Sequence, residues 1–132
     1  MTLICLKRGL PIKAAATFGA ITDLKAYQEA DPRAASMSSQ IWPDIAEHRD
    51  TILDSRSAQL WPDQINAPIL LMHGEKDPQV SPLQTLKFAE KLSQAGKAFG
   101  VIIYPGDNHI LAQHRNERDQ RVGEWFRSFL HQ

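Results

Sequence analysis

Apolar positions fall into sharp runs in the second half of the chain. Pro68-Ile69-Leu70-Leu71-Met72-His73 is apolar up to its final imidazole, the pattern of a strand buried on both faces of a parallel sheet, and Gly74 ends it. Ser81 then predicts a helix cap with Pro82 as the first helical residue. Leu83, Leu86, Phe88, Ala89 and Leu92 supply the apolar side, and Gly96 closes the helix. Phe99-Gly100-Val101-Ile102-Ile103-Tyr104 predicts a second strand bounded by Pro105-Gly106. Val122, Trp125, Phe126, Phe129 and Leu130 recur at spacings of three and four, which predicts a closing amphipathic helix.

The first half is less regular. Met1 to Arg8 runs from apolar to basic and is stopped by Gly9 and Pro11, which reads as the last turns of a helix whose beginning is missing. Ile12 to Phe18, ending at Gly19, predicts a short buried strand, although its alanines weaken β propensity. Asp23 to Asp63 mixes Pro, Ser, Trp and charges around two helical pieces, near Tyr27 to Ala35 and near Pro43 to Ser55. It reads as an excursion over the sheet edge. The later alternation of strand, helix, strand and helix implies parallel strands with crossover helices, and in such sheets chemistry gathers in the loops beyond the carboxyl ends of strands.

Composition narrows the picture. The 132 residues carry 42% hydrophobic and 23% charged side chains, the balance of a globular protein, but the length is below the roughly 200 residues that α/β enzymes often use as one unit. Fifteen basic and fifteen acidic residues leave no net field for nucleic acid or an anionic membrane. No apolar stretch approaches the roughly 20 residues needed to span a bilayer. The single cysteine, Cys5, excludes an internal disulfide and sits in an apolar run expected to pack in the core. With the N-terminal charges placed after the apolar residues, in the reverse order of a secretory signal, a cytoplasmic location is expected. No repeat or linker divides the chain, so residues 1–132 are read as a single, partial domain.

Two strand-end loops hold the candidate chemistry: His73-Gly74-Glu75-Lys76-Asp77-Pro78-Gln79-Val80 and Pro105-Gly106-Asp107-Asn108-His109. Alone, Asp77 could be a carboxylate that caps a turn, and His109 a surface histidine. Together they suggest a relay. A serine hydroxyl is a weak nucleophile unless an imidazole takes its proton, and the imidazole needs a carboxylate to fix its tautomer and stabilise its charge. About thirty residues separate the two, which is the length of one strand, helix and strand crossover. His73 is expected to be structural, satisfying loop backbone groups. His48, His114 and His131 lack a partner pattern and are expected at the surface. A metal site among His73, Asp77, Asp107 and His109 has no supporting ligand spacing. Trp42 and Trp61 are expected in core or lid packing ahead of ligand contact, and Arg115 to Arg121 as a solvated helix start.

These loops resemble the α/β-hydrolase fold, in which a His-Gly-x-x-Asp-x-x-Val loop supplies a triad acid and a later Gly-x-x-His loop the triad base. Asp77 and His109 occupy those positions. The resemblance narrows to the catalytic domain of the prolyl oligopeptidase family. It is carried by Met1-Thr2-Leu3 with Lys7-Arg8-Gly9, by Ala14-Ala15-Ala16 with Ile21-Thr22-Asp23-Leu24, by Ala67 to Gly74 with Asp77, by Tyr104 to His109, and by the closing Arg118 to Leu130 helix with Trp125-Phe126. Dienelactone-hydrolase-like families share much of the pattern. The resemblance implies a C-terminal portion of an α/β-hydrolase with an incomplete sheet, and hydrolysis of a peptide or ester substrate without a cofactor. In the complete enzyme Asp77 would orient His109, which would act as general base and then general acid.

One departure matters. The family nucleophile sits in a Gly-x-Ser-x-Gly turn, and none of Ser36, Ser38, Ser39, Ser55, Ser57, Ser81, Ser93 or Ser128 has those glycines. By resemblance, a stretch like Met1 to Leu6 follows almost directly after that turn, so the chain is expected to begin just past its nucleophile, without the loop that donates part of the oxyanion hole. The chain alone is then expected to be inactive. The alternatives are a non-catalytic remnant or partner-binding α/β module, and a carboxylesterase-like enzyme. An unpaired strand edge is expected to favour self-association.

Overall fold

The apolar run Ile69–Gly74 forms the central strand of a three-stranded parallel sheet, buried at every position. The computed structural model describes residues 1–130, so His131 lies outside the described residues. In chain order the elements are α1 (Thr2–Lys7), β1 (Ala15–Phe18), α2 (Leu24–Ala30), α3 (Pro32–Ile41), α4 (Ile45–Arg56), two 3-10 turns (Ala58–Leu60 and Pro62–Gln64), β2 (Ile69–Gly74), α5 (Leu83–Gln94), β3 (Phe99–Tyr104) and α6 (Arg115–Leu130). The sheet order is β1-β2-β3, with Phe18 level with Met72 and Gly74 level with Tyr104. Parallel strands with crossover helices are what the alternating pattern implied, and the architecture is that of the α/β-hydrolase portion implied by the resemblance.

Alternation along β2 builds two layers. Ile69 and Leu71 point to a core with Leu3 and Leu6 of α1, Trp61, and Phe88 and Leu92 of α5. Leu70 and Met72 point the other way, to Tyr104, Leu111 and the Val122 and Trp125 side of α6. Successive strand residues face opposite sides, so a strand covered on both must be apolar throughout. Phe88 and Leu92 are fully buried, and truncating either to alanine removes about 2–5 kcal/mol.

Several expectations shift. The first strand is four residues, Ala15–Phe18, shorter than the apolar run. The helical piece around Tyr27 to Ala35 is two helices, because Asp31 caps the second through the Arg33 amide (2.9 Å) and Pro32 occupies its first turn. Helix α5 begins at Leu83, one residue after Pro82, and the Ser81 hydroxyl accepts the Leu83 amide at 3.3 Å. Helix α6 begins at Arg115. Cys5 is half-buried beside the core. Trp61 is buried, whereas Trp42 is half-buried under the Arg56 guanidinium, 4.8 Å from its ring centre.

Candidate functional site

Three strand ends converge on the candidate site. Beyond β2 the loop folds tightly back: the Glu75 amide donates to the Tyr104 carbonyl and the Lys76 amide to the Asp107 carbonyl, both at 2.9 Å. Gly74 allows this closeness, since a Cβ there would collide with the backbone carbonyls of Asp107 and Asn108. The loops after β2 and β3 are thereby fastened to one another, and Asp77 meets His109.

The Asp77 side chain is fully buried and that of His109 is 29% exposed. His109 Nδ1 lies 2.7 Å from Asp77 Oδ2, while Asp77 Oδ1 accepts the backbone amides of Gln79 (2.8 Å) and Val80 (3.0 Å). Burial works against the charge on Asp77, but the Val80 amide, His109 and the Gln79 amide outweigh it and hold the carboxyl below its ordinary range. An ionised carboxylate only accepts, so the hydrogen between the two belongs to His109 Nδ1. That leaves Nε2 as the ring nitrogen outside this bond.

Gly19, at the carboxyl end of β1, completes the setting. Its amide donates to the Met72 carbonyl (2.9 Å) and its φ is +52°, a conformation that favours glycine. A Cβ there would stand 2.6 Å from His109 Nδ1 and 3.0 Å from Asp77 Oδ2. The missing side chain leaves room for the imidazole to reach the acid. Sequence patterning marks Gly19 only as a strand terminator; its pressure on His109 depends on which strand lies beside β2.

A second carboxylate and imidazole pair fixes the His109 loop. Asp107 is fully buried and accepts the amides of Asn108 (2.8 Å), Gln113 (3.2 Å) and His114 (3.1 Å), together with His114 Nδ1 at 2.8 Å. Burial alone would raise this carboxyl, yet the His114 bond and the three amides bring it down to about 2. His114, expected as an unpartnered surface residue, is thus held by Asp107 and packs on the Tyr104 ring at 4.9 Å. The pair is joined across a loop, residues 107–114, so no helix or strand periodicity could reveal it. Leu111, with φ +55°, is buried beneath the same loop.

The remaining candidates divide. His48 is exposed as expected. His73 is fully buried, with Nε2 on the Val80 carbonyl (2.9 Å) and Nδ1 on the Thr85 hydroxyl (2.7 Å). The structure brings His73 to Asp77 and Asp77 to His109, but turns the Asp107 carboxylate away to His114. Among the described residues no group of three or more His, Cys, Asp or Glu is arranged to hold a metal ion. In the charged run, Arg118 is not solvated: its side chain is mostly buried, donates to the Ile110 carbonyl (2.8 Å) and covers the Phe18 ring at 5.2 Å. It ties α6 to both the site loop and the end of β1. Among the described residues no helix is long and apolar enough to cross a membrane.

Comparison with known proteins agrees with this architecture. A puromycin-hydrolysing peptidase of Mycobacterium tuberculosis is 27% identical over 82% of this chain and 16% of its own, with a TM-score of 0.71. An acylaminoacyl peptidase of Pyrococcus horikoshii is 21% identical over 99% of this chain and 22% of its own, with a TM-score of 0.83. A dipeptidyl peptidase 4 of Porphyromonas gingivalis is 22% identical over 97% and 18%, with a TM-score of 0.79. The chain therefore spans about a fifth of the length of these structures. No curated protein sequence matches it. The model of the prolyl oligopeptidase family matches residues 1–132, from the helix before β1 through both strand-end loops to the closing helix, and the chain belongs to that family.

Proposed function

We propose that this chain carries the acid and the base of a serine-peptidase triad, Asp77 and His109, and that it has no triad turnover by itself. The observation that supports this reading is the 2.7 Å contact between a buried carboxylate and a partly exposed imidazole at the carboxyl ends of adjacent parallel strands. With a serine hydroxyl opposite Nε2, His109 would take its proton during attack and return it to the leaving group, while Asp77 stabilises the imidazolium. Peptide is the favoured substrate class, given the family and the peptidase from M. tuberculosis; an ester is the alternative. The sequence has no Gly-x-Ser-x-Gly turn, and one lost oxyanion donor alone costs about a hundredfold or more in rate. Purified chain assayed with activated esters and proline-containing peptides should stay at background. Turnover well above background that disappears in His109→Ala would sink the inactive reading.

A second reading is favoured by the edge of β1, which among the described residues pairs only with β2. Beside it runs a groove of about 470 Å³ lined by Thr2, Ile4, Phe18, Ile21 and Trp42. Phe18 is 42% exposed there. An edge of this kind recruits another strand, so a partner-binding or self-associating module is expected. Size-exclusion chromatography over a concentration series checks this, and a compact monomer at every concentration argues against it.

A further inference from the structure

The contacts behind Asp77 form a continuous chain that reaches from α5 to His109. The Thr85 hydroxyl, buried on α5, lies 2.7 Å from His73 Nδ1. On the other side of the ring, His73 Nε2 lies 2.9 Å from the Val80 carbonyl. A carbonyl only accepts, so Nε2 carries the hydrogen, and in the neutral ring Nδ1 accepts from Thr85. The same Val80 donates its amide to Asp77 Oδ1 at 3.0 Å, while the other oxygen, Oδ2, holds His109 at 2.7 Å. His73 Nε2 also lies 3.1 Å from Asp77 Oδ2, which brings the positive edge of the ring against the carboxylate.

We propose that His73, with its tautomer set by Thr85, is a positioning residue for the Asp77 and His109 pair. It grips the carbonyl of Val80, the residue whose own amide, with that of Gln79, fixes the rotation of the Asp77 carboxylate, and its Nε2–H adds a favourable dipole at the oxygen that faces His109. This goes beyond packing. A neutral apolar side chain of the same volume would fill the space between β2 and α5 but would leave the Val80 carbonyl without its donor and Asp77 Oδ2 without the Nε2–H beside it, and buried polar groups of this kind are costly to leave unmatched. Because metal-binding and catalytic imidazoles are commonly oriented through the hydrogen bonds of their partners, orientation at one remove is enough to change the chemistry of the outer ring.

The proposal rests on the reading of Asp77 and His109 as an acid and imidazole pair, and the test separates the two. In the full chain labelled with 15N, the His109 Nδ1–H bonded to Asp77 gives a far-downfield proton resonance, and His73 reports its tautomer through its ring nitrogens. Wild type should show the His109 resonance and an Nε2–H tautomer for His73. Thr85→Val, which replaces the hydroxyl by a methyl of similar size, should shift the His109 resonance upfield and broaden it at least twofold, with His73 becoming a mixture of tautomers. Thr85→Ser should restore both signals. Thr85→Ala gives the same reading if the valine variant does not fold. A folded Thr85→Val or Thr85→Ala chain with an unchanged His109 resonance overturns the positioning role and leaves the pair standing. Absence of that resonance in wild type overturns the pair itself, and the positioning role with it.

Discussion

Replacing Gly19 by alanine puts one methyl group where the site has no room. That carbon would stand 2.6 Å from His109 Nδ1 and 2.7 Å from Cε1, whereas non-bonded contacts settle near about 3.5–4.0 Å. The imidazole must retreat by about 1 Å, and a bond of 2.7 Å stretched that far is no longer a hydrogen bond. The backbone adds its own cost, since a φ of +52° disfavours a residue with a Cβ by about 1–2 kcal/mol. A hydrogen bond to an ionised group contributes about 1.5–3 kcal/mol, less here because water can reach the displaced ring. The expected loss is about 2 kcal/mol, which for a chain of this size lowers Tm by roughly 6–8 °C.

Gly9→Ala is the matched control. Its φ is +66°, but nothing lies within 4 Å of the added carbon, so it carries the backbone cost of about 1 kcal/mol alone. Thermal denaturation of both variants gives the stability difference, and the downfield His109 proton gives the fate of the bond. Gly19→Ala should lose that resonance and melt several degrees below Gly9→Ala. Equal melting of the two variants, with the His109 resonance intact in both, would refute the reasoning that the empty space at residue 19 seats the imidazole.

Asp107→Asn removes an ionised acceptor from three amides and His114, and should destabilise the chain by about 2–4 kcal/mol in urea titrations; a change below about 0.5 kcal/mol would show that the Asp107 carboxylate is not what holds the loop. The pH dependence has a definite sign. Asp107 sits at about 2 against an ordinary 3.8 and Asp77 is also lowered, so the native state gives up these protons more readily than the unfolded chain. Their stabilising contribution is complete above about pH 5 and drains as pH falls toward 2. Unfolding midpoints measured across that window should fall, and Asp107→Asn should flatten the slope. Arg118→Ala should cost about 1–2 kcal/mol by removing the Phe18 ring contact and the bond to the Ile110 carbonyl, and proteolysis within residues 107–114 should speed up; an unchanged cleavage rate would argue against Arg118 as a tie.

The sequence made β2, α5, β3 and the closing helix legible because each is written as a periodic run with its own stop signal. Asp77 and His109 were legible for a different reason: their loops resemble the acid and base loops of the α/β-hydrolase fold, and a topology that puts successive strand ends side by side agrees with their meeting. What stayed hidden depends on contacts between elements with no common period. Asp107 finds His114 through a loop, Gly19 presses on His109 from a strand that is adjacent only in space, and Arg118 leaves its exposed neighbours to cover Phe18. The break between α2 and α3 was written in Asp31-Pro32, a cap followed by a proline, but the surrounding alanines carry enough helix propensity to read straight across it.

The placement of these hidden contacts bears on how much of a relay can exist in so short a chain. Every hydrogen bond that orients Asp77 and His109 comes from β2, β3, α5 or their loops, and Gly19 adds the one steric wall from β1. Those elements form one crossover, closed by a central strand that is buried throughout and covered on both faces. Asp77 and His109 are therefore organised by the same contacts that fold the sheet. On the proposed reading, a nucleophile on another segment would meet an imidazole already aimed and a carboxylate already ionised. It follows that the geometry of the pair and the proposed absence of turnover are compatible in one chain. The two are separable by experiment, because the His109 proton resonance reads the first and the peptide assay reads the second.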